Sequence, residues 1–317
     1  MPQASVIIAT HNRPHLLPRA IESAFSAGTD VEVVVVDDAS TDRTAEVCRS
    51  LPAIRYVRAD RNQRVAGARN LGIMASTGEY LAFLDDDDVR LPGSLDRQIR
   101  ELEGTPEAGL VYGKAILADP DGVPTQTIEP EICPRGDIFW QLLEFNFIHC
   151  LAAVFRRSSI YRVGLLDTSL PGMDDWDLWV RIAEVFPVAV IEEPVGMWRS
   201  FNPDSDQGSV RMPEIFLQAN HIQRSKWLRL PRALAATEEE RQHVRQRLRN
   251  RFSDLLICYA ASVLPGGHRG MAQKCLFSAL RINPARAIRP WTLQLLLTSV
   301  LSASDKPDEG KSSGIAE

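Results

Sequence analysis

Short apolar runs alternate with longer apolar periodicities along the first two-thirds of the chain. Residues 4–9 (ASVIIA) and 31–36 (VEVVVV) are nearly continuous and rich in β-branched side chains. That is the pattern of strands covered on both faces, as in a parallel sheet. Between them Leu16, Leu17, Ala20, Ile21, Ala24 and Phe25 recur at helical spacing, with Gly28 as a stop signal. A third strand is predicted over 54–57, a helix over 65–75 and a fourth strand over 80–84. Strand and helix alternate throughout, which predicts βαβ units and an α/β fold with helices on both faces of a mostly parallel sheet.

Beyond Pro92 the pattern predicts a helix over 95–102 and a strand pair, 110–111 and 115–117, followed by turn chemistry at Asp119-Pro120-Asp121-Gly122. Further strands are expected over 151–155 and 188–191, with a helix starting at Asp174-Asp175. After about residue 211 only helical patterns remain, punctuated by Pro231, Pro265-Gly266-Gly267 and Asn283-Pro284. The expected organisation is a nucleotide-binding half over 1–112, an acceptor-side half over 113–210, a helical C-terminal appendage over 211–302 and a polar, disordered tail over 303–317.

Charge and cysteine content narrow the function classes. A net charge of −5 excludes a phosphate-backbone-coating protein, so no nucleic-acid partner is expected. The basic stretch 241–251 reads as the solvated face of a helix. Five cysteines without a C-x-x-C pair indicate neither a zinc site nor a disulfide framework. With no signal-like segment and no apolar run of about 18 residues, the expectation is a cytoplasmic protein without a transmembrane segment. Peripheral contact with a membrane surface stays compatible with it.

In parallel α/β sheets ligands gather at the carboxyl ends of the strands. Three polar clusters stand at such ends: Thr10 to Arg13, Asp37 to Asp42 and Asp85 to Asp88. Four adjacent carboxylates repel one another unless a cation or strong hydrogen bonding compensates. On an extended segment Asp85 and Asp87 would face one ligand together. Hard oxygen ligands suit Mg2+ or Mn2+, whose shells substrate phosphates complete. Asp38 can accept hydrogen bonds from a nucleobase or cap the following helix. Arg69, in AGARN, can hold a phosphate bidentately or form an ion pair. Asp174 and Asp175 open a helix, where a carboxylate can act as general base or as a cap.

Taken in order, SVIIATHNR, VVVVDDASTD, AGARNLG, GEYLAFLDDDDVRLP and DDWDLWVR resemble the motifs of the inverting nucleotide-sugar glycosyltransferases of family 2, which have the GT-A fold. The resemblance covers roughly the first two-thirds of the chain. It implies a sugar nucleotide donor, with UDP-sugars favoured, a hydroxyl-bearing acceptor and a Mn2+ or Mg2+ cofactor, in a role such as polysaccharide biosynthesis. It further implies that Ala9, Thr10, His11 and Arg13 line the nucleoside side, and that Asp38 contacts the base. Arg69 helps hold the nucleotide. Asp85 and Asp86 belong to the donor site, with Asp87 and Asp85 at the metal, and Asp175 is the base. Trp198 and Arg199 reach the diphosphate or the acceptor, or simply pack.

Three departures stand out. His11 replaces the usual aromatic residue, Asp174 the usual Glu, and Gln223-Arg224-Ser225-Lys226-Trp227 approaches the Q-x-x-R-W motif of processive members with Lys for Arg. That last match reads as coincidence, so single-sugar addition is expected. A sugar nucleotidyltransferase is the competing enzyme class, but Thr10-His11-Asn12-Arg13-Pro14 is not its Gly-rich loop. A non-catalytic sugar-nucleotide-binding protein is the other alternative.

Overall fold

The computed structural model describes residues 2–51, 53–170, 172–199 and 212–301, and the expected tail over 303–317 lies outside them. Its first half alternates as the pattern predicts: β1 (Ala4–Thr10), α1 (Leu17–Ser26), β2 (Val31–Asp37), α2 (Thr44–Arg49), β3 (Arg55–Arg58), α3 (Arg64–Ala75) and β4 (Tyr80–Asp85). Then come β5 (Val89–Arg90), α4 (Ser94–Gly104), β6 (Leu110–Ala118), β7 (Pro124–Glu129), α5 (Phe139–Glu144), β8 (Ala153–Arg156), α6 (Arg157–Val163), α7 (Asp174–Val185) and β9 (Val188–Arg199). Six helices complete the described chain: α8 (Met212–Ser225), α9 (Pro231–Ala235), α10 (Glu238–Val263), α11 (Arg269–Ile282), α12 (Pro284–Ala287) and α13 (Pro290–Leu301). The chain forms two compact units, residues 1–248 and 249–317, with α10 running through the boundary.

The strands make one mixed, mostly parallel sheet in the order β3-β2-β1-β4-β8-β6-β9-β5, with β7 added antiparallel to β6. β1 pairs in parallel with β2 on one side and β4 on the other, so the order reverses there. Such a switch point opens a crevice beyond the strand ends. Register sets its contents: Thr10 lies opposite Asp37 and Ala9 opposite Asp85. The three polar clusters therefore share one edge because three buried strands end in step.

Each face of the sheet is buried by a different helix layer. Val6, Ile8, Val33, Val35 and Leu84 join Leu17, Ala20, Ile21 and Ala24 of α1 and Leu95, Ile99 and Leu102 of α4 in one apolar cluster. The alternate residues Ile7 and Val36 face α3, where a Cβ on Gly72 would stand 2.2 Å from Ile7 Cγ2 and 3.2 Å from Val36 Cγ2. Phe83 continues that layer, its ring 5.2 Å from Phe155 and 6.3 Å from Trp179 of α7. Gly72 thus lets α3, which carries Arg69, lie flat on the sheet. Gly72→Ala is expected to cost about 1–3 kcal/mol through overpacking, read as a lowered midpoint of chemical unfolding.

Several local expectations are corrected. Residues 110–118 form one strand rather than a pair. Leu151 and Ala152 belong to a 3₁₀ turn that precedes β8. The strand expected over 188–191 continues to Arg199, because its register slips against β6 between Tyr112 and Ala115 and absorbs Pro194 there. Its far end then pairs with β5, Val89 opposite Met197 and Arg90 opposite Gly196.

Candidate active site

The loop after β4 is not extended. The Asp88 amide donates to the Asp85 carbonyl (3.1 Å), closing a turn over Asp86 and Asp87. Simple alternation therefore does not set the four carboxylates, and each meets its own environment. Asp86 is buried, accepting from Thr10 Oγ1 (2.7 Å) and Arg13 Nη1 (3.1 Å). Burial pushes its pKa up to about 6 even against Arg13 and Thr10. Asp87 lies 3.7 Å from Arg13. Asp88 is buried and pushed well above the carboxylate range by desolvation, then by Asp85 and Asp87. It accepts from the Arg199 amide (2.9 Å), so the end of β9 is tied to this loop. Asp85 stays a third exposed (34%) and accepts from Arg69 Nη2 (2.6 Å).

Arg69 connects this loop to α7. Its guanidinium, only 2% exposed, also donates through Nη1 to Asp174 Oδ2 (2.8 Å) and rests 5.2 Å from the Phe83 ring centre. Desolvation opposes its charge, but the carboxylates Asp85 and Asp174 outweigh that and raise its pKa well above the ordinary value. Asp174 Oδ1 is buried with no hydrogen-bond partner in the structure. Asp175 follows at the first turn of α7, accepting from the Trp176 amide (2.7 Å). Burial, then the neighbouring Asp174, pushes its pKa up to about 7, with Arg69 pulling the other way. A carboxylate so placed is poised between proton acceptor and donor near neutral pH.

The opposite side of the crevice is built from the ends of β1 and β2. Asp37 is fully buried and accepts from the Ser40 amide (2.8 Å), Tyr56 Oη (2.7 Å) and Arg58 Nη1 (2.5 Å). Desolvation works against its charge, and these partners lower its pKa regardless. It acts as the internal brace, and Asp38 beside it is also buried. Asp38 accepts from the Gln63 amide (2.7 Å), and burial raises its pKa. His11 Nδ1 lies 2.8 Å from the Asp38 carbonyl and Nε2 3.1 Å from Asn12 Nδ2. Asn12, Ala39 and Arg64, the non-glycine residues of positive φ among the described residues, all lie around this side. Backbone strain of this kind collects where a ligand is held.

Sequence reasoning missed Cys150 and the contacts of Asn70, and did not foresee the partners of Asp177, Lys226, Trp227, Trp198 and Arg199. Cys150 stands next to Arg69 and the carboxylates Asp85, Asp175 and Asp174, and burial keeps its thiol neutral. Asn70 exchanges two 2.9 Å hydrogen bonds with the Leu166 backbone, anchoring the segment that leads into α7. Asp177 takes Trp227 Nε1 (2.9 Å), Lys226 Nζ (2.8 Å) and Arg181 Nε (2.8 Å). The Trp227 ring lies 4.8 Å from Trp176. The 223–227 segment thus packs behind the first turn of α7. Trp198 lies 5.0 Å from the His149 ring, and Arg199 Nε donates to the Pro120 carbonyl (2.5 Å). Apart from the i,i+4 pair Asp177–Arg181, these contacts have no local sequence signal, since the partners lie tens of residues away.

The mixed sheet with its switch-point crevice, flanked by helices, has the GT-A architecture. The description "Glycosyl transferase family 2" matches residues 5–164, half of the chain, and the protein belongs to that family. An uncharacterized glycosyltransferase of Rickettsia felis is 29% identical over 219 residues, 67% of this chain and 36% of that protein. The succinoglycan biosynthesis protein ExoO of Rhizobium meliloti is 41% identical over 106 residues, 32% of this chain and 30% of ExoO. The chain thus spans about a third of each of these relatives. In fold, S. aureus TarS 1-349 in complex with UDP-GlcNAc is similar with a TM-score of 0.60 at 16% identity, covering 94% of this chain and 88% of that one. Mannosyltransferase PcManGT from Pyrobaculum calidifontis, in complex with GDP-Man and Mn2+, gives 0.57 at 18%, covering 94% and 86%.

Among the described residues no helix is long and apolar enough to cross a membrane. Nor do three His, Cys, Asp or Glu side chains there group into a ready metal cage. Asp85, paired with Arg69, and Asp87, 3.7 Å from Arg13, are oxygen donors of the kind that Mg2+ or Mn2+ prefers.

Proposed function

We propose that this protein transfers one sugar from a nucleoside diphosphate donor, a UDP-sugar in preference, to a hydroxyl of a glycan, lipid-linked glycan or small molecule, with inversion. The observation that carries the reading is Arg69, which bridges Asp85 of the acidic turn and Asp174 beside Asp175. One buried cation thereby fixes the distance between the donor side and the base.

The nucleoside sits at the ends of β1 and β2, against Ala9, Thr10 and His11, with Asp38 accepting from the base. Arg13 faces the diphosphate side of the acidic turn, and Trp198 and Arg199 close the far edge. A bound Mn2+ or Mg2+, held through Asp87 and Asp85, would neutralise charge on the leaving diphosphate. Asp175 takes the proton of the acceptor hydroxyl as its oxygen attacks the anomeric carbon. The new C–O bond forms while the bond to the diphosphate oxygen breaks, and the electron pair leaves with the nucleoside diphosphate. A single displacement by one base inverts the anomeric centre. Asp174 Oδ1, left without a partner, is free to accept from the acceptor. The name of ExoO, from a polysaccharide pathway, supports a glycan acceptor.

The test is calorimetric titration with UDP, GDP, dTDP and CDP, each in manganese, magnesium and EDTA. Metal-dependent binding of one nucleotide is the expected result, and binding of none by folded protein would refute the donor site. Asp87→Ala should bind that nucleotide equally in manganese and EDTA, at the wild-type EDTA level. A manganese effect of undiminished size in this variant would remove Asp87 from the metal site.

A further inference from the structure

The second unit carries a charge balance opposite to the rest of the chain. Residues 249–301 hold seven arginines and lysines against one carboxylate, Asp254, a balance of +6 in a protein of net −5. Asp254 is itself paired with Arg286. Lys274, Arg281 and Arg289 are all exposed.

The same unit exposes apolar side chains in an unusual arrangement. On α13 the polar Thr292 and Ser299 are buried, while Trp291, Leu293 and Leu297 are 47%, 43% and 57% exposed. An ordinary surface helix does the reverse. Thr292 Oγ1 lacks a hydrogen-bond partner in its buried position, so hydrogen bonding does not explain its inward turn. Ile288 just before α13 is 57% exposed. On the neighbouring α11, exposed Phe277 stands between Lys274 and Arg281 at helical spacing. Twelve residues of helix reach only about 18 Å, too short to span the roughly 30 Å core of a bilayer.

We infer that the second unit docks peripherally on an anionic lipid surface, α13 lying in the interface with Trp291, Leu293 and Leu297 inserted and Lys274, Arg281 and Arg289 on the headgroups. Trp and Leu beside basic side chains match the two chemistries of that boundary, acyl chain and negative headgroup. A second copy of this chain is the poorer occupant, because two faces from units that carry +4 over residues 249–317 repel. The −9 balance of residues 1–248 is no substitute for this surface, since its exposed carboxylates would be pushed away by the same headgroups.

The experiment is vesicle flotation of the full chain with phosphatidylcholine alone and with one-third phosphatidylglycerol. Binding is expected only with the anionic vesicles, and should fall at least about tenfold on raising salt to about 0.5 M, where screening shortens the reach of charge. Lys274→Gln/Arg281→Gln/Arg289→Gln should weaken it by roughly tenfold or more. Trp291→Ser/Leu293→Ser/Leu297→Ser should abolish it, with circular dichroism of both variants unchanged. Absence of flotation, or flotation equal in folded variants and wild type, overturns the inference. So does a dimer in sedimentation velocity that the serine variant dissolves, which would make this face an interface between copies. If the serine variant misfolds, the exposed-charge variant alone decides.

Discussion

Asp175→Asn is expected to bind the donor nucleotide within a few-fold of wild type and to lose sugar transfer by about two to four orders of magnitude, the range of general-base catalysis. Asparagine keeps the size and the oxygen that accepts from the Trp176 amide (2.7 Å). It removes only the capacity to take a proton. In the wild type, kcat/KM should rise with pH through about 7, because the base works deprotonated and burial beside Asp174 holds its pKa there. The variant's residual activity should lack that rise.

Stability runs the opposite way. A carboxyl whose folded pKa is raised favours the fold while protonated, so its contribution is present below the ordinary value near 4 and is lost as pH climbs through about 7. Asp175→Asn should therefore unfold at a higher temperature than wild type at pH 8, and by a smaller margin at pH 5. A variant that keeps near-normal turnover would move the base elsewhere, with Asp174 next in line. Gained stability with lost activity is the signature of a strained site.

What the sequence discloses here follows from how local each interaction is. Runs such as VEVVVV announce buried strands because Val33 to Val36 are buried on both faces, so β1, β2 and β4 and the three clusters at their ends are legible. β5 has only two residues and exists because β9 passes beside it, so no periodicity marks it. The far half of β9 is hidden for another reason: Glu192, Glu193, Pro194 and Gly196 interrupt the apolar pattern just where the strand bends. The site divides likewise. Asp85 to Asp88 stands out as a row of like charges, but how each carboxylate is braced depends on Thr10, Arg13, Arg69 and Arg199, not on the row itself. Lys226 and Trp227 look like a fragment of a motif, and only the fold shows them gripping Asp177, two residues after Asp175.

Arg69 is the residue whose loss should reach furthest, because it is a positioning residue for two sides at once. Arg69→Met leaves Asp174, wholly buried, and Asp85 without their shared cation. Breaking a buried pair from one side costs about 3–5 kcal/mol, so thermal unfolding should occur roughly 10 °C lower at neutral pH. Arg69→Lys keeps the charge but cannot reach both carboxylates with a planar fork, and should recover part of the stability. Lost stability alone would fit a purely structural role. The discriminating readout is the pH profile: Arg69 is the group that pulls the Asp175 pKa down, so without it the rising limb of kcat/KM should move to higher pH. Adding Asp174→Asn to Arg69→Met removes the buried orphan charge, and stability should return in part while transfer stays low. An unmoved pH limb in Arg69→Lys and Arg69→Met would separate Arg69 from the base. A shifted limb would show that the same cation that braces the acidic turn also sets the proton affinity of the group that starts the reaction.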